Sequence, residues 1–180
     1  MERLCLLAID PGKSGGIAWK LVSGSKVKVT VIKMPDSELG IFDAIAEIER
    51  KALQLAAGNI HGIIERVNFR PKQRGGWEFS GNYHGCRMAM IALGIQFVNP
   101  TPGQWQKDFG LVQKLPKKKE EMTKQEINEH YKMKKQRSKE LAQELYPELR
   151  VTHYASEALL LLSYHEKNFR TVKYGMRRRP

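Results

Sequence analysis

The apolar pattern opens with an unbroken run, LCLLAI at residues 4–9, that ends on Asp10 and is cut by Pro11-Gly12. A run this short, bounded by a Pro-Gly turn, predicts a central sheet strand rather than a helix. Gly15-Gly16 leads into a second apolar run, Ile17-Ala18-Trp19, so residues 16–20 predict a second strand. In residues 26–33, KVKVTVIK, the valines alternate with lysines and Thr30, the period of a half-buried strand. Joined at Ser23-Gly24-Ser25, these three make an antiparallel meander. The period then lengthens. Ile41, Ile45, Ile48, Ala52 and Leu55 recur three or four apart, predicting an amphipathic helix capped by Asp36 or Ser37 and ended at Gly58.

Residues 60–67, IHGIIERV, return to a short apolar strand with Glu65 at its tip. Residues 80–93 predict a helix whose Gly81, Gly85 and Ala89, four apart, permit close packing. A strand at 95–98 and a short helix from Thr101 follow. Residues 114–139 predict a charged helical stretch, with Thr123 as a cap and Ile127, Tyr131 and Met133 as its few apolar anchors. The helix runs on through residues 138–146 and stops before Pro147. HYASEALLLL at residues 153–162 begins the last helix, and the tail at 174–180 reads as flexible and basic.

Two features of this pattern carry chemistry. Asp10 and Glu65 each stand where a buried strand ends, a placement that costs desolvation energy unless the acid is wet, hydrogen-bonded or holding a cation. A turn acid opening a hairpin is the ordinary alternative for Asp10 alone. Two such acids on strands joined through a helix meet if the strands are parallel neighbours, and a strand–helix–strand crossover favours that. His153 and Glu157 lie four apart on one face of the last helix, beside the apolar stripe that must face the sheet. A lone His at a helix start is more often a cap or a surface residue. Three carboxylates drawn together repel by about 1 to 4 kcal/mol per close pair. With Asp10, Glu65, His153 and Glu157 as ligands, hard oxygens favour Mg²⁺, with Mn²⁺ able to substitute. Two ions about 4 Å apart at one site would suit phosphodiester hydrolysis.

Charge sharpens the picture. The chain has 180 residues and a net charge of +12, which points to a polyanion partner. No segment shows the basic amphipathic helix of a membrane-surface protein, and the longest apolar runs are too short to cross a bilayer, so nucleic acid is the expected partner and a membrane is not. Residues 114–139 hold ten Lys and Arg against four Glu, half of the net charge. A charge run is usually a solvated face; this one's sign suits phosphate contacts. The loop at 68–76, NFRPKQRGG, is basic and is followed by Trp77, Phe79 and Tyr83. Arg70, Lys72 and Arg74 suit phosphate contact, and the aromatics suit either base stacking or a core. Two cysteines, Cys5 and Cys86, make neither a disulfide framework nor a zinc spacing, and the N-terminus has no signal pattern, so a reducing cytoplasm is expected.

Four pieces, AIDPGKSGGIAW, IIERV, VNPTPGQWQK and HYASEALLLL, spread over nearly the whole chain. In that order they resemble the RuvC-like Holliday junction resolvases of the RNase H-like superfamily, particularly the phage-type branch. The resemblance implies one α/β nuclease domain: a mixed five-stranded sheet, antiparallel meander plus parallel strands, flanked by helices on both faces. It also implies a homodimer that makes paired Mg²⁺-dependent incisions across a four-way DNA junction. It assigns Asp10 as bridging metal ligand, Glu65 as second ligand and Glu157 as the last acid, with His153 near a position where some members have His. Lys107 and Lys139 map to DNA-contacting lysines, joined by Trp77 and by Lys114, Lys117, Lys118 and Lys119 of the basic excursion at 114–137. The chain departs from the pattern in three places. Its last acid is Glu rather than Asp, His153 precedes it by four residues rather than three, and the excursion is longer. Two other readings stand beside a junction endonuclease: a less selective RNase H-like nuclease on flaps, forks or hybrids, and a non-catalytic branched-DNA-binding module. An actin-like nucleotide site is disfavoured, because only residues 10–16 resemble a phosphate loop.

Overall fold

The computed structural model describes residues 3–56, 58–66, 76–112 and 121–173, with side chains described at all of these but 76–79 and 170–173. Strands β1 (Arg3–Asp10), β2 (Gly16–Ser23) and β3 (Lys26–Lys33) form the expected meander. Helix α1 (Glu38–Ala56) starts after Ser37, whose hydroxyl accepts from the Gly40 N–H at 3.1 Å. Strand β4 (Ile60–Ile64) runs parallel to β1, then come α2 (Gly76–Ala92), β5 (Gln96–Val98), α3 (Pro102–Asp108), α4 (Lys124–Leu145) and α5 (His153–Lys173). The sheet order is β3-β2-β1-β4-β5, antiparallel on one side of β1 and parallel on the other. This is the mixed five-stranded α/β sheet that the resemblance implies.

Strand β1 explains why its sequence is apolar without alternation: both of its faces are covered. Cys5, Leu7 and Ile9 join Ile41, Ile45 and Ile48 of α1 on one face. Leu4, Leu6 and Ala8 join Ala155, Ala158 and Leu159 of α5 on the other. Leu159 to Leu162 are fully buried, because α5 lies between the sheet and α4. Each such leucine contributes roughly 1.5–3 kcal/mol, so this helix is fixed by burial on several sides.

Several sequence expectations shift. Strand β4 ends at Ile64, short of Val67, and Glu65 follows it directly. Leu55 is 48% exposed, and Ala56 takes the inward place at the end of α1. Helix α4 differs most. Thr123 caps it as expected, exchanging hydrogen bonds with Glu126. Of the anchors read from the sequence, however, Tyr131 and Met133 are 58% and 67% exposed. The face that meets the rest of the molecule carries Lys134, Lys135, Ser138 and Ala142 instead. The second half of the basic stretch is therefore a packed helix in which Lys134 and Lys135 point inward. Residues 113–120 and 174–180, with the expected flexible tail, lie outside the described residues. Among the described residues no helix is long and apolar enough to cross a membrane.

Candidate active site

Register places the first two acids together. In the parallel β1–β4 pair Ile9 stands opposite Ile64, and the Glu65 N–H donates to the Ile9 carbonyl at 3.0 Å. Asp10 and Glu65 thus occupy the next position across two strands that lie about 4.8 Å apart. Alternation fixes the face. Asp10 follows the parity of Leu6 and Ala8, and Glu65 that of Ile63, so both belong to the α5 side.

Asp10 is buried, at 8% exposure, inside a tight turn. The Gly12 N–H donates to its Oδ1 at 3.2 Å, and the Gly15 N–H donates to the Gly12 carbonyl at 2.8 Å. Gly15 closes over the carboxylate: a Cβ there would stand 2.8 Å from Cγ and 2.9 Å from Oδ2 of Asp10. Glycine is required here by close approach rather than by backbone dihedrals. On the far side, Trp105 of α3 is fully buried and donates its indole N–H to Glu65 Oε2 at 3.0 Å. Glu157, on the first turns of α5, completes the group. Its Oε2 accepts from Lys135 Nζ of α4 at 2.8 Å, with both side chains largely buried.

The three carboxylates feel one another. Burial first, and Glu157 second, push the Asp10 carboxyl above the ordinary carboxylate range, while Lys135 and the Gly12 N–H pull part of the way back. Burial also leads for Glu65, followed by Asp10 and Glu157, and it too is pushed up, against the opposing Trp105 N–H and Lys135. Burial disfavours the Lys135 ammonium, but Glu157, Tyr131 and Asp10 outweigh it, so Lys135 holds its proton more tightly than a free lysine does.

Trp105 gives a prediction. Trp105→Phe keeps the ring but removes the donor that stabilises ionised Glu65, so the Glu65 carboxyl should climb further. If cleavage needs ionised Glu65, the acid limb of the pH–rate profile moves to higher pH. The rate should fall by about tenfold at pH 6.5 and stay within about twofold at pH 9. A profile superimposable on the wild type would remove the Trp105–Glu65 bond from the chemistry.

The other expected site residues fall into three groups. His153 is the first residue of α5 and is exposed. It lines a cavity of about 450 Å³ with Ser14, Tyr131, Lys132, Lys135 and Gln136, so it stands at the rim of the acids rather than among them. Lys107 is exposed in the last turn of α3, and Lys139 is half-buried on α4 beside Gln136, Glu140, Gln143 and Glu144. Arg70, Lys72, Arg74, Lys114, Lys117, Lys118 and Lys119 lie outside the described residues, as does the side chain of Trp77, whose backbone opens α2. A separate cavity of about 500 Å³ at the β4–β5 edge, lined by His61, Phe97, Tyr164 and His165, contains none of the acids. Burial pushes His165 there down to about 4, so a neutral ring meets the His61 carbonyl at 3.3 Å.

Two members of the site were not legible as such. Lys135 reads as one charge in a basic run; its signal is the four-residue step Lys134–Ser138–Ala142, the buried edge of α4. Trp105 reads as an aromatic in a polar turn; its signal is that a buried indole needs an acceptor for its N–H.

The donor set suits a hard divalent cation such as Mg²⁺ or Mn²⁺, since it consists of carboxylate oxygens. Among the described residues, no three His, Cys, Asp or Glu side chains surround a common ion position. Glu157 is bonded to Lys135 and Glu65 to Trp105. The donor chemistry fits such ions.

No protein-family model and no curated protein matches the chain. Solved structures do. RuvC of Thermus thermophilus matches over 94% of this chain and 97% of its own, at 14% identity and a TM-score of 0.55. The T. thermophilus RuvC in complex with Holliday junction substrate matches over 93% and 96%, at 13% identity and a TM-score of 0.53. The fold is RuvC-like. At this identity the likeness concerns architecture: the RuvC-like chain shares its sheet and flanking helices with those proteins over almost their whole length.

Proposed function

We propose that this protein is a structure-selective endodeoxyribonuclease that resolves four-way DNA junctions by metal-dependent phosphodiester hydrolysis. The observation that carries the reading is the adjacency of Asp10 and Glu65 at the ends of two parallel strands, on the face where Glu157 stands. A chain of net charge +12 that concentrates carboxylates at one point is built to bring a polyanion to a cation site. The RuvC-like fold and the junction carried by one of its structural neighbours support the choice of branched DNA.

In this reading Asp10, Glu65 and Glu157 hold Mg²⁺, two ions per site, with Mn²⁺ able to substitute. When bound, such ions supply the charge that activates a water and offsets the negative charge on the leaving 3′ oxygen. The chain does the rest. The Gly12–Gly15 turn fixes the Asp10 carboxylate, Trp105 aims Glu65, and α5 carries Glu157 against the sheet. His153, Lys132 and Ser14 border the open cavity beside Lys135, where a phosphate strand would enter. Lys107, Lys139 and the basic segments at 68–76 and 114–119 supply sequence-independent affinity, each phosphate neutralised adding about −0.9 to the salt slope. Two symmetric cuts require two such sites, hence a homodimer.

A synthetic four-way junction incubated with Mg²⁺ should be nicked on two opposing strands at symmetric positions near the crossover, with linear duplex left intact. Equal cleavage of flaps, forks or hybrids would replace junction selectivity with a broader nuclease. The engagement of Glu157 by Lys135 favours a second reading, a branched-DNA-binding module. Tight junction binding without any product in Mg²⁺ or Mn²⁺ would establish it.

A further inference from the structure

Resting on the metal-dependent reading above, we propose that Lys135 is a built-in counter-cation that holds Glu157 away from a divalent ion until DNA draws the ammonium onto a phosphate. The geometry carries this. The Lys135 and Glu157 side chains keep only 20% and 13% exposure, and their atoms meet at 2.8 Å, a charge-assisted bond in a largely dry setting. Lys135 also acts on Asp10 and Glu65, so one ammonium offsets part of the charge of all three acids. A carboxylate committed to that bond lends little to an ion, and among the described residues no three His, Cys, Asp or Glu side chains surround a common ion position.

The surroundings allow the ammonium to move while its backbone stays. Lys134 donates to Gln106 Oε1 of α3 at 2.7 Å, tying α4 to α3 next to the lysine, and Ser138 and Ala142 on the following turns are buried. The Lys135 side chain, by contrast, borders the open cavity of about 450 Å³, with the Tyr131 ring 5.7 Å from Nζ. Lys132 and His153 line the same cavity and are exposed. A phosphate arriving there meets Lys135 along with two further basic groups. Transfer of the ammonium from Glu157 to that phosphate exchanges one anionic partner for another and frees Glu157 for the ion. Metal loading and substrate binding then become coupled, and the free protein is protected from assembling its full site without DNA.

A plain structural bridge between α4 and α5 would make the same contacts, so the deciding measurement is metal binding rather than stability. Mn²⁺ titrated into DNA-free, full-length protein, with free ion read by electron paramagnetic resonance, should show Lys135→Met binding about tenfold more tightly than wild type, or taking up one more ion per chain. Lys135→Gln, which keeps a donor but no charge, should do the same and serves if the methionine variant does not fold. Lys135→Arg should resemble the wild type, and Glu157→Gln added to Lys135→Met should abolish the gain. Equal Mn²⁺ binding by wild type, Lys135→Met and Lys135→Gln overturns the proposal and leaves the metal-dependent reading standing. No Mn²⁺ binding by any of the folded proteins at millimolar ion overturns both.

Discussion

Asp10→Asn is expected to slow junction cleavage by at least about 10³-fold while junction affinity stays within about threefold of wild type. Asparagine is nearly isosteric with aspartate, and its Oδ1 still accepts from the Gly12 N–H. The turn closed by Gly15, where 2.8 Å separates a would-be Cβ from Cγ of Asp10, has room for that replacement and for little else. What disappears is the negative charge that a divalent ion requires beside the phosphate. Binding survives because phosphate contacts come from the basic surface, and loss of an anion near the DNA works slightly in its favour. Glu65→Gln should behave alike. Single-turnover cleavage alongside fluorescence anisotropy on the same junction separates the two effects. Wild-type cutting by Asp10→Asn would remove Asp10 from the chemistry.

The same substitutions should make the protein more stable, and increasingly so as pH rises. Both carboxyls are pushed above the ordinary range, first by burial and then by each other and Glu157. An acid whose folded pKa is raised leaves stability intact below its unfolded value near 4, then loses it as pH climbs through the folded pKa, because the unfolded chain releases the proton more readily. The Asp10→Asn/Glu65→Gln double variant lacks that loss. Its advantage should be close to zero at pH 4 and on the order of 2 kcal/mol by pH 8.5, or about 4–8 °C in melting temperature. Saturating Mg²⁺ should close or reverse the gap by stabilising only the wild type, about 2.7 kcal/mol at a hundredfold excess over its dissociation constant. Parallel thermal melts across pH, with and without Mg²⁺, check this. A gap that stays flat with pH would mean that these carboxyls are not strained in the folded protein. Stability given up at the place where function is proposed is the usual pattern of an active site.

How much of this was legible beforehand differs from element to element. Strand β1 was readable because a strand covered on both faces must be apolar at every position, and LCLLAI has no other sensible use. The meander followed from the period of KVKVTVIK, and α1 from its three-to-four spacing. Asp10 and Glu65 stood out because charge at the end of a buried strand is expensive. Helix α4 was misread where its inward face is polar: Lys134, Lys135 and Ser138 do not look like anchors, since their partners Gln106 and Glu157 lie far away in sequence. His153 shares a helix with Glu157 and is exposed on the cavity that Lys135 also lines.

The sequence by itself determined the order of the elements, the apolar faces of the strands and of α1, and which acids stand at strand ends, because these follow from periodicity and from the cost of burying charge. Only the tertiary structure decided that β1 and β4 are parallel neighbours in register, which sets Asp10 beside Glu65. It also decided that an ammonium from α4 and an indole from α3 reach those acids, since contacts between residues distant in the chain depend on how helices pack over the sheet, and no local pattern encodes that.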